Sequence, residues 1–190
     1  MLKIFARAMM LASIAVAAAA PRAYALAPET VTIASTLASK GPFTAQLSRP
    51  SGAGPFPAIV AMHGCGGLLS NKGQLRSREM DWAERVVAAG YAVLFPDSFT
   101  ARGVREICTA TSRSIFPKDR ADDVAAAAEW LGSQPFVDKS RLGLIGWSHG
   151  AMAVLWALRP GFLGAPPRFK TAIFSCSNGA MCPSAFCRRA

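Results

Sequence analysis

The sequence predicts an α/β fold, a mostly parallel sheet with helices on both faces. Three observations carry that expectation. Short apolar runs alternate with stretches of helical periodicity along most of the chain. The inner runs are apolar throughout instead of alternating with polar residues, which is the pattern of strands buried on both faces. Two glycine-rich motifs follow such runs directly, at the carboxyl ends of strands, where open parallel sheets bind their ligands.

The elements follow in order. Val31 to Ser35 and Phe43 to Ser48 read as two short strands separated by a turn at Ser39 to Pro42. After the Gly/Pro loop from Pro50 to Pro57, Ala58 to Met62 is a buried strand running into His63-Gly64-Cys65-Gly66-Gly67. Met80 to Ala89 is helical and stops at Gly90. Tyr91 to Phe95 is the next buried strand, followed by Pro96-Asp97 and a long loop over 98–118. Asp119 is expected to cap a helix, with Asp122 three residues on and an apolar stripe of Val124, Ala127, Ala128 and Leu131. Leu142 to Ile145 is a third buried strand ending at Gly146; Ala151 to Leu158 is a short apolar helix, and Phe169 to Phe174 a fourth buried strand.

What flanks these elements is of another kind. Lys3 and Arg7, the 12-residue apolar run Met9 to Ala20, Pro21 and the A-x-A triplet Ala23-Tyr24-Ala25 have the layout of a secretory signal peptide over residues 1–25, cleaved after Ala25. The run is short of the roughly 20 residues needed to span a bilayer, so it reads as a cleaved leader and no stable membrane insertion is expected. The expected location is secreted or periplasmic, and the expected domain spans 26–175. The net charge of +10 becomes +7 without Lys3, Arg7 and Arg22. The remaining cations are scattered and form no basic helix face, which argues against nucleic-acid binding and allows an anionic small molecule. Five cysteines match no zinc spacing, and no metal site is expected. Export permits disulfides, and Cys65 with Cys108 is the expected pair because both fall in loops at one edge of the sheet. Residues 176–190 read as an irregular tail holding Cys176, Cys182 and Cys187.

The chemistry sits in the two glycine motifs. Gly146-Trp147-Ser148-His149-Gly150 lies between a buried strand and a helix, the context of a nucleophile elbow. The turn is sharp enough to require glycine at 146 and 150, and it holds the Ser148 hydroxyl above the sheet edge. The following helix points its amides at that spot. His63 to Gly67 stands where a backbone amide can help to hold an oxyanion, with glycines allowing close approach. The expected oxyanion hole is the amide of Cys65 with the amide of His149, supported by Gly64. The His63 ring reads as a prop bonding the loop from beneath, with a general base as the alternative. The His149 ring is expected to point away from Ser148. Asp97 reads as a cap for the loop after Pro96. Arg102, Arg105 and Arg113 sit in a loop that overhangs the pocket, where an arginine can pair with a substrate carboxylate.

With these residues the sequence resembles the dienelactone hydrolase family of α/β-hydrolases. The resemblance rests on Phe43 to Pro50 with Gly54-Pro55-Phe56-Pro57, and on 58–67 (AIVAMHGCGG), 91–99 (YAVLFPDSF), 119–131 (DRADDVAAAAEWL) and 141–150 (RLGLIGWSHG). It covers roughly 30 to 175. It implies hydrolysis of an ester, lactone or related acyl bond of a small molecule, with no cofactor and with Ser148 as nucleophile; it does not fix the oligomeric state. The family places its acid and its histidine later in the chain, whereas this chain has no Asp or Glu after Asp138 and no His after His149. The expectation is therefore an α/β-hydrolase fold missing its C-terminal strands. The alternative is a catalytically inactive fragment or pseudoenzyme.

Overall fold

A computed structural model describes residues 27–35, 41–112, 114–162 and 169–175. The leader over 1–25, the tail over 176–190 with its three cysteines, Ser39 and Lys40 of the first turn, and Arg113 lie outside the described residues. Six strands and three helices follow in the order β1 (Glu29–Ile33), β2 (Phe43–Ser48), β3 (Phe56–Met62), α1 (Ser77–Ala88), β4 (Ala92–Pro96), α2 (Pro117–Gly132), β5 (Val137–Trp147), α3 (His149–Ala157) and β6 (Phe169–Ser175). The strands form one sheet in the order β1-β2-β4-β3-β5-β6. β1 and β2 are antiparallel to their neighbours, and β4, β3, β5 and β6 run parallel. This is the mostly parallel α/β arrangement expected from the alternation of elements. No helix among the described residues is long and apolar enough to cross a membrane.

The continuous apolar runs of β3, β4 and β5 are explained by two cores, whereas β6 is half-buried to exposed along its length and not the fourth buried strand expected, because it forms the edge of the sheet. Ala58, Val60 and Met62 of β3, Ala92 and Leu94 of β4, and Leu142 and Leu144 of β5 face α2 and α3. Ala61, Val93, Phe95, Ile145 and Trp147 face the other way, toward Ala83, Val86 and Val87 of α1. Successive side chains of a strand point to opposite faces, so a strand covered on both sides must be apolar at every position.

Element ends differ from the sequence expectation where polar residues hide them. α1 starts at Ser77 instead of Met80, with Met80 N–H donating to the Arg76 carbonyl at 2.9 Å; its first turn is polar and carries no apolar period. It stops as expected, with Gly90 at a φ of 87° and its amide donating to Val87. α2 starts at Pro117, two residues before the expected cap. Phe116 N–H donates to the Asp119 carboxylate at 2.9 Å, so Asp119 is a third-position residue reaching back and not the cap.

The loop after β4 is tied down at both ends. Asp97 is buried; it accepts from Phe99 N–H (3.0 Å), Thr100 N–H (3.1 Å) and the Thr100 hydroxyl (2.6 Å), which caps a 3-10 turn at Thr100–Arg102. Farther on, Cys108 is disulfide-bonded to Cys65, with 5.0 Å between the Cα atoms, as the shared sheet edge suggested. Ile107 N–H also donates to the Cys65 carbonyl at 2.8 Å. The bridge closes a loop over a sequence separation of 43, and restricting an unfolded chain on that scale stabilises by roughly 2–4 kcal/mol. Cys108→Ser should therefore lower the free energy of unfolding by that amount, read as a fall in urea midpoint, and a reductant should lower the wild type to the level of the variant while leaving the variant unchanged.

Candidate active site

The carboxyl ends of β3 and β5 lie side by side, Met62 against Gly146, and there the two glycine motifs meet. Ser148 leaves β5 with φ 52° and ψ −118°. Among the described residues it is the one non-glycine with positive φ, a conformation costing on the order of 1–3 kcal/mol unless the surroundings impose it. Here the surroundings do impose it. The Ser148 amide donates to the Ser175 carbonyl at 2.7 Å, and the Ser148 carbonyl accepts from Met152 to open α3. His149 is the first residue of α3.

Glycine at 146 and 150 is required for a reason more specific than mutual crowding. A Cβ on Gly146 would stand 2.7 Å from both Ala151 Cα and the Gly150 oxygen. One on Gly150 would stand 2.2 Å from the Met62 oxygen and 2.5 Å from the His63 oxygen. The start of α3 is thus pressed onto the end of β3. A Cβ on Gly64 would meet only ordinary contacts, at 3.5 Å from the Trp147 oxygen and 3.7 Å from Ser148 Cβ. Gly64 therefore lies beside the nucleophile without being forced to be glycine. Gly67, at φ 82°, has no such latitude: its Cβ would stand 2.1 Å from the Arg105 oxygen.

The two histidines are both engaged. His63 is fully buried. Ser98 N–H donates to its Nε2 at 3.3 Å, so Nδ1 carries the proton and donates to the Gly64 carbonyl at 2.8 Å. The ring props the glycine loop from within it. Burial, with Arg120 close by, holds its pKa well below the ordinary value. His149 is also buried, and its Nδ1 lies 3.0 Å from Nη1 of Arg120. A guanidinium can only donate, so Nδ1 is the acceptor and Nε2 bears the proton.

Of the loop arginines described, Arg102 is engaged within the protein and Arg105 remains exposed. Arg102 grips Asp123 with both Nη atoms, at 2.8 and 2.7 Å, and also donates to the Ser98 carbonyl. Arg105 donates to the Asn71 side chain. Together with Asp97, Leu68 and Thr100, Arg105 lines a cleft of about 360 Å³ next to the glycine loop.

Two arginines the sequence reading passed over stand closer. Arg78 Nη2 comes within 3.6 Å of where a Gly64 Cβ would be. Its guanidinium lies over the Trp147 ring at 5.4 Å and bonds the fully buried Glu79 through Nε (3.1 Å) and Nη2 (2.5 Å). Arg120 is fully buried on the first turn of α2 and donates through Nη2 to the His63 carbonyl at 2.8 Å. Burial lowers its pKa to about 9, against the opposing pull of Asp123 and Asp97. A signal for Arg120 was present, because it lies four residues before Val124 on the apolar stripe of α2 and hence on its buried face.

Two outcomes follow. Gly150→Ala should lower stability by about 1–3 kcal/mol or more, read as a fall in urea midpoint, because the added methyl meets backbone oxygens and not movable side chains. His63 stays neutral when folded and titrates at its ordinary value of 6.5 when unfolded. The unfolded chain therefore binds the extra proton first, and stability should be full above that pH and fall as pH drops below it. The slope approaches about 1.4 kcal/mol per pH unit for one proton. Urea unfolding between about pH 5 and 8 should show this slope in the wild type and its reduction in His63→Asn.

With the geometry established, similarity to known proteins places the chain. Its fold matches esterase Est22 with a TM-score of 0.52 and 21% identity, over 73% of this chain and 39% of that one. A hypothetical protein from Pseudomonas aeruginosa matches with a TM-score of 0.58 and 23% identity, over 83% and 44%. A candidate dienelactone hydrolase from Klebsiella pneumoniae matches with a TM-score of 0.52 and 19% identity, over 71% and 57%. At these identities the likeness is one of fold, and the chain spans about two fifths of the length of the esterase. The family profile of the prolyl oligopeptidase family, Peptidase S9, matches residues 78–181. That stretch is more than half of the chain and runs from the first turn of α1 past β6, with the Ser148 elbow inside it; on that match, this α/β-hydrolase-fold chain belongs to the prolyl oligopeptidase family.

Proposed function

We propose that the chain carries the nucleophile half of a serine hydrolase acting on ester, lactone or related acyl bonds of small molecules. The single observation behind this reading is the backbone of Ser148: a serine held at φ 52° and ψ −118° between two glycines that cannot be replaced without collision. Simple binding gives no reason to maintain that strain. In the proposed reaction the Ser148 hydroxyl attacks the acyl carbonyl carbon, and the negative charge develops on the carbonyl oxygen. The amides of Cys65 and His149 receive that charge; one such donor is worth roughly 3–4 kcal/mol in enzymes of this type. The alcohol or lactone oxygen then leaves with the proton given up by the Ser148 hydroxyl, carried across by a base from outside the described residues, and water attacks the acyl-serine, releasing the acid and returning a proton to Ser148. None of these steps calls for a cofactor.

The name of the prolyl oligopeptidase family points to peptide substrates. The ester reading is preferred because the glycine motifs resemble those of dienelactone hydrolases and a neighbour in fold is an esterase. We further propose that the chain is exported with residues 1–25 as its leader, a reading supported by the charge and apolar layout of that segment and compatible with the Cys65–Cys108 bridge.

A second reading has its own observation. The chain holds two histidines, and neither offers a lone pair to Ser148, since His63 uses both ring nitrogens and His149 has its acceptor nitrogen on Arg120. Among the described residues neither histidine is placed as the base, so one is supplied from elsewhere or the chain does not turn over. Removing the histidine of a serine protease triad lowers kcat by about 10⁶-fold while leaving some rate from the oxyanion hole. The expected result is slow labelling of the purified chain by a fluorophosphonate probe, abolished in Ser148→Ala, with p-nitrophenyl acetate turnover about 10⁶-fold below that of a triad-equipped esterase. Absence of labelling in a folded chain would favour the non-catalytic reading.

A further inference from the structure

Arg120 is the largest fully buried side chain among the described residues. A guanidinium taken from water carries a penalty of several kcal/mol unless its donors are well matched, and its Nε is buried without a hydrogen-bond partner. Packing alone does not account for a charged fork at this position, since apolar side chains fill the rest of the stripe from Val124 to Leu131.

What the fork does is join two segments that are far apart in sequence. Nη2 donates to the His63 carbonyl at 2.8 Å, and Nη1 donates to His149 Nδ1 at 3.0 Å. The plane between them is held by Phe99: the guanidinium carbon lies 5.0 Å from that ring's centroid. The same ring packs edge-on against both histidines, with centroids 4.6 Å from His63 and 6.4 Å from His149. His63 stands two residues before Cys65, and His149 is itself the other proposed donor. The two arms of one rigid, planar group therefore end on the two walls of the oxyanion hole.

We infer that Arg120 is a positioning residue that fixes the separation of the Cys65 and His149 amides, acting through the His63 carbonyl and the His149 ring. The inference rests on the hydrolase reading of the Ser148 site. It explains why a fork is present where a point charge would not serve: a lysine offers no fixed angle between two donors. It also explains why the carbonyl chosen is that of His63, the last residue before the glycine loop, which crowds Gly150 from the other side.

The test compares wild type, Arg120→Lys and Arg120→Met as full chains, with a cooperative melt as the criterion for folding. The readouts are the second-order rate of fluorophosphonate labelling at Ser148 and, where turnover is measurable, kcat and KM for p-nitrophenyl acetate. A displacement of about 1 Å in such a site costs about 10²-fold. Both folded variants should therefore label about 10²-fold more slowly than wild type, with kcat reduced and KM little changed, and lysine should not rescue. A folded Lys or Met variant that labels at the wild-type rate overturns the inference while leaving the hydrolase reading intact. A wild-type chain that does not label at all overturns both. Should neither variant fold, the wild type decides through the imidazole ¹⁵N spectrum of His149. A ring protonated on Nε2, with Nδ1 as acceptor, supports the strut, and a ring protonated on Nδ1 overturns it.

Discussion

Everything at the sheet's carboxyl edge depends on how closely the start of α3 approaches the end of β3. With no side chain on Gly150, the helix backbone can rest on the Met62 and His63 carbonyls. That contact fixes where β5 must end and α3 begin, which leaves Ser148 no conformation but the strained one it adopts. The same approach brings the glycine loop after β3 beside Ser148, where a Cβ added to Gly64 would meet Ser148 Cβ at 3.7 Å. A loosely packed turn would relax the serine into an ordinary helical cap. The strain is therefore a consequence of packing between two elements and is not a local property of the serine.

Charge beneath this contact is arranged to tolerate burial. Arg120 and Asp123 are both on α2 and both buried, and Asp123 is gripped in turn by the half-buried Arg102 from the loop above. Asp123 is thus paired with Arg102, and its charge together with that of Asp97 favours the charged form of Arg120. Replacing such a network by apolar residues is often neutral for stability, whereas removing one member is not. Its persistence here fits a role in holding the glycine loop, the 3-10 turn and α3 in fixed relation better than it fits a role in stability. The Cys65–Cys108 bridge and the Ile107–Cys65 hydrogen bond fasten the outer side of the same loop, so the Cys65 amide is constrained from both directions.

Much of this was legible in the sequence because it follows from short-range rules. The runs from Ala58 and Leu142 could only be strands covered on both faces, and Gly146 and Gly150 around a serine after such a strand announce a turn that excludes Cβ atoms. The Cys65–Cys108 pair was legible from topology, since successive parallel strands bring their following loops to one edge. What stayed hidden depends on which partner a charge finds. Arg120 and Asp123 sit in a run of charged residues that reads like an exposed first turn, although the helical period places Arg120 on the apolar stripe. Arg102 looked available for a substrate because nothing local shows that Asp123, 21 residues on, will claim it. Element starts at Ser77 and Pro117 were missed because polar first turns carry no apolar period.

The chemistry turns on what can take the proton from Ser148. His63 is locked by a donor on one side and an acceptor on the other, and its lowered pKa keeps it neutral and unreactive in that place. For His149 to act, Arg120 would have to release Nδ1, and the buried guanidinium would then lose one of its few partners. The arrangement around the proposed oxyanion hole thus engages both histidines of the chain and removes them from service as bases. A nucleophile and its charge-stabilising amides can be completed by a base brought from another segment, because the base needs only to reach the serine hydroxyl and need not belong to this part of the sheet. Preorganised amides and a supplied base are separable contributions, and in the proposed reaction the residues described here provide the first.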